Sequence, residues 1–179
     1  MQNKILIIPG FLALKSFYGG YEGIDIWLKN TTNENISGFE WIVAHSGGVN
    51  YLFSNEIPQS QKIILVNPIL KKQNLFSLFL KMLWFTLDEG VVWNKIVSIS
   101  NWYFAFKKII ALLKINVLEE ILKLPKENIF IIRGKEDYYY CDEENLQIIK
   151  ENNLNFLEVS AGHNWDENIA KKVIEITNS

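Results

Sequence analysis

Two textures alternate along the chain. Short apolar runs at Lys4 to Pro9, Trp41 to Ala44, Lys62 to Asn67, Asn128 to Arg133 and Asn155 to Ser160 are rich in Ile, Val and Leu. That is the texture of strands buried on both faces. Pro9-Gly10, Pro68 and Gly134 close three of them. Between the runs the spacing turns helical. It predicts a helix over Gly48 to Asn55, ended near Pro58, a second over Asp142 to Asn152 with Asp142 as N-cap, and a closing one over Asp166 to Ile176. Strands alternating with helices predict an α/β chain, with a mostly parallel sheet of about five to six strands flanked by helices. The ligand site of such a sheet lies outside the carboxyl ends of its strands.

Two stretches depart from this rhythm. In residues 12–39, Gly19, Gly20 and Gly23 interrupt any helix, while Ile24, Ile26 and Leu28 alternate with Asp25, Trp27 and Lys29 as in a strand. Thr31 to Gly38 is polar and loop-like. Ile69 to Leu124, ended by Pro125, has helical apolar spacing. It carries Trp84, Trp93 and Trp102 with Phe76, Phe79, Phe85, Tyr103, Phe104 and Phe106. Most of these aromatics are expected to pack between helices.

A length of 179 residues fits a single domain, and a hydrophobic content of 49% with 13% aromatic residues predicts a dense core with an apolar pocket. The net charge of −2 argues against nucleic acid as a partner. A single cysteine, Cys141, excludes an internal disulfide and fits a reducing, cytoplasmic setting. Pro9-Gly10 breaks the N-terminal apolar run before it resembles a signal segment. Lys81 and Lys107-Lys108 interrupt the two longest apolar stretches, so no transmembrane span is expected. No metal-binding cluster and no phosphate-cradling glycine motif is present, and no metal or cofactor is expected.

The candidate chemistry centres on Ala44-His45-Ser46-Gly47-Gly48, directly after an apolar run. A serine on a sharp strand-to-helix turn needs small neighbours, and the N–H of Gly47 would point to where an oxyanion forms. Taken alone, Ser46-Gly47-Gly48 also reads as an ordinary turn. The chain has two histidines, His45 beside the serine and His163 in the turn Ala161-Gly162-His163. Acids near the later strand ends are Glu136, Asp137, Asp142 and Asp166, the last two placed as helix starts. Cys141 has no histidine of its own and reads as a bystander.

Ala44 to Gly48, the Gly134-x-x-Asp137 sequence and the Gly162-His163 turn, in that order, resemble the nucleophile elbow, acid and base of the α/β-hydrolase family, with Ala44 where Gly is usual. The resemblance implies a trimmed α/β-hydrolase fold over 1–179, with 69–125 inserted as a helical lid. It implies a catalytic triad of Ser46, Asp137 and His163, an oxyanion hole from the N–H groups of Phe11 and Gly47, and an acyl ester substrate cleaved through an acyl-enzyme. Thioester hydrolysis, acyl transfer and a non-catalytic binding role stay open on the same residues. Trp84, Trp102, Phe106, Lys107 and Lys108 are the lid residues expected to meet substrate. From Lys71 to Pro125 eight lysines stand against four acids, leaving −6 on the rest of the chain. These lysines read either as solvated helix faces or as a docking face for an anionic partner, a membrane surface or an acyl carrier protein. A small lidded hydrolase with a basic lid is similar to the pimeloyl-acyl-carrier-protein methyl ester esterases of biotin synthesis.

Overall fold

The computed structural model describes residues 4–29, 31, 36–91 and 93–178. Six strands form one sheet: β1 (Ile5–Ile8), β2 (Glu22–Gly23), β3 (Trp41–His45), β4 (Lys62–Val66), β5 (Ile129–Gly134) and β6 (Phe156–Val159), in the order β2-β1-β3-β4-β5-β6. Every neighbouring pair is parallel. The helices are α1 (Gly47–Leu52), α2 (Leu75–Asp88), α3 (Ile99–Leu112), α4 (Val117–Leu122), α5 (Glu143–Glu151) and α6 (Glu167–Thr177).

Strand side chains alternate between two cores, which explains why the strands are mainly apolar. Leu6, Ile8, Ile42, Ala44, Ile63, Leu65, Ile129 and Ile131 face one side, against Val49 and Leu52 of α1, Ala105 and Ile109 of α3, Val117 and Ile121 of α4 and Ile149 of α5. Ile7, Val43, Ile64, Val66 and Ile132 face the other, under Ile169, Val173 and Ile176 of α6 and under Tyr18 and Trp165. Gly48 permits the closest approach: a Cβ there would lie 2.5 Å from the Ile8 oxygen and 2.6 Å from that of Pro9. α1 therefore sits directly on the end of β1.

The trimming falls between β1 and β3. Among the described residues this stretch holds 3-10 turns at Lys15–Tyr18 and Ile36–Gly38 and the two-residue β2, with no α-helix. The expected strand over Ile24 to Leu28 is corrected. Pairing ends at Gly23 and the Ile24 N–H bond to Ile7, after which the chain turns through Ile26 N–H to Ile24 and Leu28 N–H to Asp25. Ile24, Ile26 and Trp27 are all buried, so the alternation reflects plugs inserted into the core from a turning backbone. The expected Thr31 to Gly38 loop lies partly outside the described residues.

Between β4 and β5, the ends of the insertion belong to the core. Ile69 and Leu70 are buried at one end, Val117 and Ile121 of α4 at the other. α2 is different, with no buried residue. The expectation that the aromatics pack between helices is corrected for Phe76, Phe79, Trp84, Trp93 and Tyr103, which are exposed. α2 is apolar around more of its circumference than one contact can cover. No described helix is long and apolar enough to cross a membrane.

Candidate active site

Ser46 joins β3 to α1 with φ 50° and ψ −121°, a backbone region that ordinary L residues avoid. The Ser46 N–H is held by the Val66 carbonyl at 2.9 Å, which fixes the turn to the end of the neighbouring strand. Its hydroxyl is thereby presented to His163, with Oγ donating to Nε2 at 2.7 Å. On the far side of the ring, Nδ1–H donates to Asp137 Oδ2 at 2.6 Å. That tautomer leaves Nε2 free to accept the serine proton. All three side chains are buried, and the imidazole packs against the rings of Tyr140 and Phe85, centroids 4.5 Å and 5.6 Å away, which also touch each other.

Asp137 is fully engaged. Its oxygens accept from the N–H groups of Tyr139, Tyr140 and Cys141 at 3.2, 3.0 and 3.0 Å. Burial alone would raise its pKa, but the charge and hydrogen bond of His163 and the N–H groups of Tyr140 and Cys141 outweigh that and bring it down to about 2. The loop that supplies these donors is tied down by buried Arg133, whose Nε donates to the Cys141 carbonyl while its other nitrogens bind Glu158 and Glu143. Of the other acids, Asp142 caps α5 and Asp166 caps α6, while Glu136 accepts from the Ser160 hydroxyl at an exposed position. Cys141 is buried and its thiol is pushed up by burial and by Asp137, so it stays protonated.

The N–H of Gly47 opens α1, where a helix leaves its first donors unpaired. The Phe11 nitrogen lies beside it: a Cβ on Gly47 would stand 3.4 Å from that atom. Trp27 holds the Phe11 loop through Nε1–H to the Gly10 carbonyl at 2.6 Å and through an edge-to-face contact of its ring with Phe11.

Four groups brace these loops, and of them sequence reasoning singled out only His45. His45 Nε2–H donates to the His163 carbonyl at 2.8 Å, and its Nδ1 accepts from the Tyr18 hydroxyl at 2.8 Å. Tyr18 in turn accepts from the Gly10 N–H at 2.7 Å. Asn67, at φ 46° after β4, donates to the carbonyls of Gly162 and His163 and accepts from Gly134 N–H. Glu89, just past α2, accepts from the N–H groups of His163 and Asn164 at 2.8–3.0 Å. An Asn at a strand end was a usable signal for a left-handed residue. Glu89 and Tyr18 left none, because their partners are distant in sequence.

A cavity of about 420 Å³ opens beside Ser46 and His163. Its walls are apolar, with Leu78, Met82 and Phe85 from α2 facing Trp102, Phe106 and Ile109 from α3. The expected lid contacts divide. Trp102 and Phe106 line the cavity, whereas Trp84 is on the outer face of α2. Lys108 donates to the Ile26 carbonyl and stacks over Tyr51, and Lys107 is exposed; neither lines the cavity.

No protein-family model and no curated protein matches the chain. Solved structures do. A lipase-esterase related protein from Clostridium acetobutylicum superposes with a TM-score of 0.62 at 14% identity, covering 97% of this chain and 93% of that one. A monoacylglycerol lipase from Paleococcus ferrophilus gives 0.54 at 12% identity, with 98% and 94% covered. The thioesterase domain of the curacin biosynthetic pathway gives 0.52 at 12% identity, with 99% and 92% covered. These likenesses reach across the whole chain, and together with the parallel sheet and the strained serine between β3 and α1 they establish that the chain has the α/β-hydrolase fold.

Proposed function

We propose that the protein is a serine hydrolase acting on carboxylic esters with an apolar acyl group. The observation that carries this reading is the hydrogen-bonded series Ser46, His163, Asp137 at the mouth of an apolar cavity. Ser46 Oγ attacks the carbonyl carbon as its proton passes to His163 Nε2, and Asp137 stabilises the imidazolium. The N–H groups of Gly47 and Phe11 hold the oxyanion. His163 returns the proton to the departing alcohol, and water, activated by the same nitrogen, cleaves the acyl-enzyme. The first test is labelling with a fluorophosphonate. Wild-type protein should be modified at Ser46, and undiminished labelling of Ser46→Ala would overturn the reading.

The cavity supports a medium or long acyl chain as the preferred substrate, since its volume lies within the range of small-ligand sites. Phe106→Ala and Trp102→Ala should lower kcat/KM for p-nitrophenyl octanoate by about tenfold or more while changing the acetate ester little, because each apolar contact with the chain is worth about 1–3 kcal/mol. Trp84→Ala should leave the ratio between the two esters unchanged. Equal effects on both esters in all three variants would make Trp102 and Phe106 structural.

The finer reading, cleavage of a carrier-bound pimeloyl methyl ester, is favoured by the small size of the lidded chain and by the basic count of the segment from Lys71 to Pro125. Five of its eight lysines are engaged internally. Lys71, Lys81 and Lys123 pair with Glu144, Asp142 and Glu120, while Lys95 and Lys108 bind backbone carbonyls. Hydrolysis of a free or lipid-borne acyl ester fits the site with fewer assumptions.

A further inference from the structure

We infer that the outer rim of the cavity is a docking face for an anionic lipid surface, from which the acyl substrate enters. The inference rests on the esterase reading for its substrate and on separate observations for the surface.

The cavity walls continue outward through apolar residues of α2 and α3. Leu75 and Phe79 of α2, Trp93, and Ile110 of α3 line the cavity and are also exposed, so they form its rim. Beyond the rim, α2 presents Phe76, Leu80, Leu83, Trp84 and Leu87 to solvent, with Phe76 73%, Trp84 61% and Leu87 69% exposed. Scattered apolar residues are normal on a surface, but a contiguous set on one helix marks a contact site.

Charge selects the occupant. Among the described residues of the segment, Lys72, Lys107 and Lys114 have no ion-pair or hydrogen-bond partner for their ammonium groups, and all three are exposed. Lys72 precedes Leu75 at the rim, Lys107 lies one turn before Ile110 on α3, and Lys114 follows just past the end of that helix. No anion opposes them on these helices. α3 contains no acid, and Asp88, the single acid of α2, accepts from the Tyr139 hydroxyl. Apolar and aromatic residues ringed by unpaired lysines are the composition of helices that lie in an anionic bilayer interface. An acidic protein would satisfy the lysines but would leave Phe76 and Leu87 uncovered by like chemistry. A lipid phase covers both, and its acyl chains are continuous in polarity with the cavity below.

The experiment is flotation of the full chain with phosphatidylcholine vesicles, with and without phosphatidylglycerol. Wild-type protein should float with the anionic vesicles and be released by salt. Phe76→Ser/Leu87→Ser and Lys72→Glu/Lys114→Glu should each lower partition by about tenfold or more, since one lysine at an anionic surface contributes about fivefold. None of these four residues lines the cavity, so turnover of p-nitrophenyl acetate without vesicles should stay at the wild-type level, which also certifies the fold of each variant. No flotation of the wild type, or equal flotation with neutral vesicles, would overturn the proposal. So would capture by an acidic acyl carrier protein without flotation, or a dimer in sedimentation that Phe76→Ser/Leu87→Ser dissolves while vesicles bind neither form. Fluorophosphonate labelling in the absence of vesicles reports on the esterase reading independently.

Discussion

Ser46→Ala and His163→Ala should each lower kcat/KM for a p-nitrophenyl ester by on the order of 10⁴-fold or more, and Asp137→Asn by about 10⁴-fold. A factor of 10⁴ corresponds to about 5 kcal/mol of transition-state stabilisation. The reason is visible in the bonds. Among the described residues, Ser46 has His163 as the base within reach, and the ring of His163 has Asp137 as the carboxylate that sets its tautomer. Asparagine at 137 offers an amide where the carboxylate stood, and rotation to donate toward Nδ1 would favour the tautomer with the proton on Nε2. The imidazole would then face the serine hydroxyl with a donor. Because the three groups act as a unit, Ser46→Ala/His163→Ala should be no slower than either single variant. A fully additive double variant, or near-wild-type turnover by His163→Ala, would remove the triad assignment. His45 offers no substitute base, since its ring nitrogens are committed to Tyr18 and to the His163 carbonyl.

The sheet was legible in the sequence wherever burial was two-sided. β1, β3, β4 and β5 are covered by helices or loops on both faces, so every residue position there is under the same selection for apolar character. Ser46, Asp137 and His163 were legible for a related reason. Each comes within four residues of a strand end, and the carboxyl ends of parallel strands share one edge of the sheet. β2 was not legible because two residues have no period. The outward face of α2 was misread for the opposite reason. Helical apolar spacing predicts a buried stripe, and the periodicity of α2 continues around the helix without a partner to cover it.

What the sequence left hidden is the bracing between loops, and it has a sharp consequence at low pH. His45 links the Phe11 loop to the His163 loop: Gly10 N–H binds Tyr18, Tyr18 donates to His45 Nδ1, and His45 Nε2–H binds the His163 carbonyl. That arrangement requires a neutral ring, because a proton on Nδ1 would oppose the Tyr18 hydroxyl hydrogen. Burial, reinforced by the charge of His163, lowers the His45 pKa from 6.5 to about 3. The folded value lies below the unfolded one, so the stabilisation is complete above pH 6.5 and is lost progressively as pH falls toward 3. The slope contributed by this one group is on the order of 1.4 kcal/mol per pH unit. Urea denaturation should therefore show wild-type protein losing about 2 kcal/mol from this group between pH 7 and pH 5. His45→Gln keeps an amide that can donate and accept but does not titrate, so its stability, although lower at pH 7, should fall less steeply over the same interval. Parallel curves for the two proteins would show that His45 is not held neutral. Where the curves diverge, the wild-type protein is carrying a cost that falls on the Phe11 and His163 loops together, the two sides of the site that must stay in register for Ser46 to react.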